Sequence, residues 1–240
     1  MRQYVADVVP RYVDSPAIWA WELGNEYDLA ADLPNASTHR PYVLPRMGTA
    51  SERTERDDMT TEMLVSACRE FARAVRQYDS HRAITTGNSL PRPAAHHMHT
   101  EGTWTHDTRE QLQQRLILTS PDPVNLVSVH VYPFDREARF DGQPSYEEIL
   151  SLALAACKGA GKALFVGEFG AADDGKHGGP QGPEHENRAV FDAIVASGVP
   201  LAAIWAYDLE QQKDTFSITP DNDRAYLLDL VAEANKRMNP

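Results

Sequence analysis

Five short stretches of the chain are apolar almost without interruption: Ala17–Leu23, Arg82–Thr86, Leu126–Tyr132, Ala163–Phe169 and Leu201–Tyr207. Each is rich in Val, Ile, Phe or Trp and is more continuous than alternating. Strands covered on both faces have this pattern. Helical periodicity lies between them. Met63, Leu64, Ala67, Phe71, Ala74, Val75 and Tyr78 recur at steps of three and four within a helix predicted over Asp57–Tyr78. Further helices are predicted over Arg2–Val13, over Asp107–Thr119 with Asp107 or Thr108 as cap, from Ser145 to about Gly159, over Glu184–Ser197 and over Asp221–Met238. Ser145 opens a capping box with Glu148.

The order is one helix and then five strand–helix units, which implies parallel strands with helices packed outside. Pattern alone leaves two architectures open, a doubly wound open sheet and part of a (β/α)8 barrel. The longest irregular stretches, roughly 27–55, 87–106 and 171–183, all follow strands. They belong on the side where both architectures place ligands.

Composition narrows the partners. The 240 residues are 42% apolar and 24% charged, ordinary for a globular protein, and their net charge is −12. That balance argues against nucleic acid and anionic membrane, both polyanions. The sequence has no apolar run of about 18 residues, and M-R-Q-Y-V-A-D-V-V-P is too polar for a secretory signal. Cys68 and Cys157 both fall inside helical patterns and are expected to be buried free thiols.

The strand tips carry the chemistry. The first ends in Asn25-Glu26, the second in T-G-N with Asn88, and the third in V-H-V-Y with His130 and Tyr132. The fourth ends in G-E-F-G with Glu168, the fifth in I-W-A-Y-D with Trp205. Parallel strands would bring Glu26 and Glu168 to one rim. Two carboxylates with a His–Tyr pair and an aromatic plate suit glycosidic bond cleavage. One acid protonates the leaving oxygen and one carboxylate acts at the anomeric carbon.

W-E-L-G-N-E, V-H-V-Y, G-E-F-G and I-W-A-Y resemble the fourth, sixth, seventh and eighth strands of retaining TIM-barrel glycoside hydrolases. The best match is glycoside hydrolase family 5, the cellulase- and mannanase-like enzymes. The resemblance implies an incomplete (β/α)8 barrel, a leading helix plus five units corresponding to strands 4–8, as a single catalytic domain over 1–240. It implies Glu26 as acid/base and Glu168 as nucleophile, with Asn25 on a sugar 2-hydroxyl. It further implies Tyr132 orienting the nucleophile, His130 beside the pair and Trp205 as sugar platform. The family's first three strands have no counterpart here, which carries the expectation of an N-terminally truncated chain, of doubtful activity alone, completed by a partner or a second copy. A secreted or periplasmic setting fits the full-length protein.

The expected partner is a β-linked glucan or mannan, with no cofactor and no metal. His96, His97 and His99 lie near Trp104 on a stretch read as a sugar-contacting or solvated loop, since no CxxC or HExxH companion accompanies them. The alternative function is an inactive or carbohydrate-binding remnant. A nucleotide-binding sheet would need a phosphate loop after the first strand, where N-E-Y-D-L stands.

Overall fold

The computed structural model describes residues 1–238. The chain forms two compact units, Met1–Val127 and Ser128–Pro240. The first contains α1 (Arg2–Tyr12), β1 (Ala20–Glu22), α2 (Thr61–Arg76), β2 (Ala83–Thr85), α3 (Ala95–Glu101), α4 (Arg109–Leu118) and the start of β3 (Leu126–Val131). The second contains the rest of β3, then α5 (Tyr146–Gly159), β4 (Ala163–Phe169), α6 (Pro183–Ser197), β5 (Leu201–Ile204) and α7 (Tyr226–Met238).

In the first unit β1 pairs in parallel with β2, Ala20 opposite Ala83 and Glu22 opposite Thr85, and Thr85 of β2 lies opposite Leu126 of β3. Its core joins Val5 and Val9 of α1 to Phe71 and Val75 of α2, Ile84 of β2 and Val124. Both pairs are four residues apart, so each helix turns one apolar stripe inward. Thr60 caps α2 by accepting from the Met63 N–H. The turn from α1 into β1 is tied by one side chain: Arg82 donates to the carbonyls of Val13, Ser15 and Ile18. Arg82 is in turn paired at 2.8 Å with Asp79, whose carboxylate also accepts from the Trp21 indole.

In the second unit β4 and β5 are parallel, Phe165 opposite Leu201 and Phe169 opposite Ile204, with a register irregularity between Val166 and Phe169. Phe169 meets Phe191 of α6 edge-on at 4.9 Å. Ser145 caps α5 by accepting from the Glu148 N–H, as its motif predicts.

The strands follow one another in chain order, β1-β2-β3-β4-β5. A doubly wound sheet reverses its order at a switch point and this one does not, which singles out the barrel type.

Three stretches differ from their sequence pattern. Ala17–Leu23 yields only three strand residues and leaves Trp19 74% exposed. Leu201–Tyr207 shortens to four. Both strands stand at an end of the strand order, so the ladder supports each from one side only. The histidine-rich stretch is a helix, α3, rather than a loop. Its cap is remote in sequence: the Asp107 carboxylate accepts from the N–H groups of His96 and His97, and no residue just before Ala95 signals a start.

Candidate active site

Past β1 the backbone turns at Gly24, and Glu26 takes a left-handed conformation (φ 55°). Its N–H donates to the Gly87 carbonyl at 2.8 Å. Gly87 itself has φ 71°, and a Cβ there would sit 1.7 Å from the Gly24 carbonyl oxygen. Only glycine lets the two tips approach this closely. Asn25 is exposed and Glu26 half-buried. Asn88 is buried, and its amide donates to the Thr119 carbonyl at 3.2 Å. Trp104 lies beyond α3 and is 52% exposed.

The histidines of α3 have local partners. His97 Nδ1 is 2.9 Å from Asp107, and His99 Nδ1 is 3.1 Å from Asp32. Asp32, Glu62 and His99 offer ligand atoms within 4.8 Å of one another. The Asp32 carboxylate already accepts from the N–H and hydroxyl of Thr61, so it anchors the first turn of α2.

The second unit holds the tighter cluster. Every residue of β3 is buried, and His130 and Tyr132, two apart, share a face. The Tyr132 hydroxyl donates to Glu168 Oε2 at 2.6 Å. His130 Nδ1 lies 3.5 Å from the same oxygen, beyond a strong hydrogen bond but within ion-pairing reach. Glu168 is 8% exposed. Gly167 makes room for this arrangement, because a Cβ there would meet Ser128 Oγ at 2.8 Å and His130 Nε2 at 3.0 Å.

Tyr132 is itself fixed from three sides. Its N–H donates to Asp135 at 2.8 Å, its ring stacks on Phe134 at 5.4 Å, and Phe216 meets it edge-on at 5.8 Å. Trp205 continues the β4–β5 ladder through its N–H to the Phe169 carbonyl, and its indole donates to Gln212 at 2.8 Å. A buried carboxylate receiving a phenolic hydroxyl is kept in one rotamer, poised as a nucleophile or base.

Residues 1–210 match the model of the cellulase family, glycosyl hydrolase family 5. The chain belongs to that family. A probable mannan endo-1,4-beta-mannosidase A-2 of Aspergillus terreus is 26% identical over 222 residues, 92% of this chain and 44% of that protein. The endo-beta-1,4-mannanase of Thermotoga petrophila superposes with a TM-score of 0.57 at 17% identity, over 99% of this chain and 49% of its own. An endo-1,4-beta-mannanase from Rhizomucor miehei gives 0.58 at 15%, over 99% and 59%. The chain thus spans about half the length of the relatives it matches. The likeness shows the fold, five strand–helix units of a (β/α)8 barrel.

Within this family 5 chain the structure brings His130, Tyr132 and Glu168 together around one oxygen, and it holds Asn25, Glu26 and Asn88 at the tips of β1 and β2. Sequence reading overlooked Phe134, Asp135, Gln212 and Phe216, which position Tyr132 and Trp205. Asp135 had a signal, an acid three residues past Tyr132 in position to cap the following turn. Gln212 and Phe216 had none, because they reach their partners only through folding.

Proposed function

We infer that this chain carries the catalytic groups of a retaining β-glycosidase acting on β-1,4-linked mannan or glucan. One observation supports this above the rest: in a family 5 chain, the carboxylate at the tip of β4 accepts a 2.6 Å hydrogen bond from Tyr132. In this reading Glu168 attacks the anomeric carbon and the bond to the leaving sugar breaks. Glu26 protonates the departing oxygen. Glu26 then takes a proton from water, the water oxygen attacks the same carbon, and Glu168 is released. Retention requires the two carboxyl groups to work about 5–5.5 Å apart.

Tyr132 and His130 keep the nucleophile in place, Asn25 contacts the 2-hydroxyl, and Trp205, Asn88 and Trp104 contact sugar. No step calls for a metal or cofactor. The mannan-acting names among the relatives make mannan the first substrate to try.

The test is hydrolysis of aryl β-mannosides and β-glucosides, with the anomer of the product read by proton NMR. The expected outcome is retention, with turnover lost in Glu168→Gln. Unchanged turnover in that variant removes Glu168 as nucleophile. Oligosaccharide binding with no turnover in either protein would favour the carbohydrate-binding alternative.

A further inference from the structure

Glu168 stands at a break in its own ladder. Val166 lies opposite Ala202 and Phe169 opposite Ile204. Three steps along β4 thus match two along β5, and Gly167 and Glu168 together face the single residue Ala203. An extra residue in one strand disrupts the ladder locally and re-aims a side chain. The direction of Glu168 therefore depends on what holds β4 on either side of the break.

Before the break, β4 is held by its regular pairing with β5 at Phe165 and Val166. After it, two bonds hold the strand exit. The Trp205 N–H donates to the Phe169 carbonyl at 2.9 Å. Two residues on, the Ala171 N–H donates to Oδ1 of Asn187 in α6 at 3.0 Å. Asn187 is 1% exposed, and its amide nitrogen donates to the Tyr226 hydroxyl at the start of α7 at 3.3 Å. Both polar ends of this side chain are thus in use, which keeps it in one rotamer.

We propose that Asn187 is a positioning residue for the reaction: it fixes the exit of β4 and so aims the Glu168 carboxylate. The proposal rests on the glycosidase reading above and adds to it a residue on a helix, away from the strand tips. The residue type fits the task. A buried backbone N–H needs an acceptor, and a carboxamide supplies one without bringing a charge into the interior. Its place on α6 fits as well. Asn187 and Phe191 are four apart and share one face of the helix. That face meets β4 twice, Phe191 edge-on at Phe169 and Asn187 at Ala171. The aromatic contact has little directional demand, whereas the hydrogen bond sets where the peptide after Gly170 must lie.

The experiment compares wild type, Asn187→Ala and Asn187→Asp, each shown to be folded by circular dichroism at the assay temperature. Steady-state kinetics on aryl β-mannosides and β-glucosides give kcat and KM. Proton NMR follows the buried Tyr132 hydroxyl, assigned by its loss in Tyr132→Phe, because its resonance reports the bond to Glu168. Asn187→Ala should lower kcat by about 10- to 100-fold, the cost of a reacting group displaced by about 1 Å, with KM within about threefold of wild type. It should also shift the hydroxyl resonance. Asn187→Asp keeps the acceptor oxygen, and the Tyr226 hydroxyl can turn to donate to it, so this variant should recover most of the lost kcat. If Asn187→Ala does not fold, Asn187→Ser replaces it, since the serine hydroxyl ends one bond short of the Ala171 N–H.

An unmoved hydroxyl resonance in the folded variant would overturn the proposal, as would a loss carried by KM alone. An Asn187→Asp protein as slow as Asn187→Ala would assign the loss to packing and overturn it too. A shifted resonance in a chain whose wild type turns over no substrate would leave Asn187 aiming Glu168 and remove the glycosidase reading. Retaining turnover by wild type, with kcat and resonance unmoved in the variant, would do the reverse.

Discussion

At the scale of single residues, the arrangement around Glu168 depends on a few atoms. The hydrogen bond from Tyr132 joins a phenol to a carboxylate, and bonds of that kind contribute about 1.5–3 kcal/mol. Tyr132→Phe keeps the ring stacked on Phe134 and removes only the donor. The expected result is a fall in kcat of about 10- to 100-fold with the fold intact, checked by steady-state kinetics beside circular dichroism. Gly167 works by what it lacks. Gly167→Ala would push a methyl into Ser128 and His130, both buried. Overpacking of this size costs about 1–3 kcal/mol, and urea unfolding should show that loss together with lower turnover. Unchanged stability would mean that β3 moves aside more easily than its burial implies. Gly167 and His130 were each legible as residues. That one makes room for the other was not, because they meet only across neighbouring strands.

At the scale of elements, α1, β1 and α2 are joined through Asp79 and Arg82. Burial by itself raises a carboxyl's pKa. Around Asp79 the hydrogen bonds from Arg82, Trp21 and His81 outweigh that effect and hold its carboxyl below the ordinary carboxylate range. Folding therefore favours the ionised form. The resulting stability is present above the ordinary value of 3.8 and is lost as pH falls below it toward the folded value. Wild type should lose urea stability between pH 5 and pH 3, and Asp79→Asn should lose less over that interval. At pH 7 the same variant should be about 1.5–3 kcal/mol weaker than wild type, the worth of a charged hydrogen bond. An equal acid slope in both proteins would assign the effect to other carboxylates. The helices of this region were legible as periodic stripes. The tie among them was not, because its members lie far apart in sequence, Trp21 and Asp79 by 58 positions.

At the scale of the whole molecule, each compact unit contains one cysteine, Cys68 in the first and Cys157 in the second. Both are free and buried, as expected from their helical setting. Burial pushes the Cys68 thiol up to about 12 and the Cys157 thiol to about 11, so neither supplies thiolate near pH 8. Both should resist iodoacetamide in native buffer and react once urea opens the unit that contains them. Mass spectrometry of the two labelled peptides then reports each unit separately. Rapid labelling of either one in native buffer would show that its unit opens without global unfolding.

By itself the sequence determined the alternation of strands and helices, the parallel sheet and the family. It did so because periodicity, caps and strand-tip motifs are local, and local signals survive in a linear string. It also placed Glu168, His130 and Tyr132 at strand tips. Tertiary structure decided that strand order runs without reversal, that α3 is capped from Asp107, and that the Tyr132 hydroxyl points at Glu168. It alone set the Trp21 indole on Asp79 and the Arg82 guanidinium on the carbonyls of Val13, Ser15 and Ile18. The physical reason is the same in each case: these contacts join residues that are not neighbours in the chain, and their geometry exists only once the strands and helices have packed.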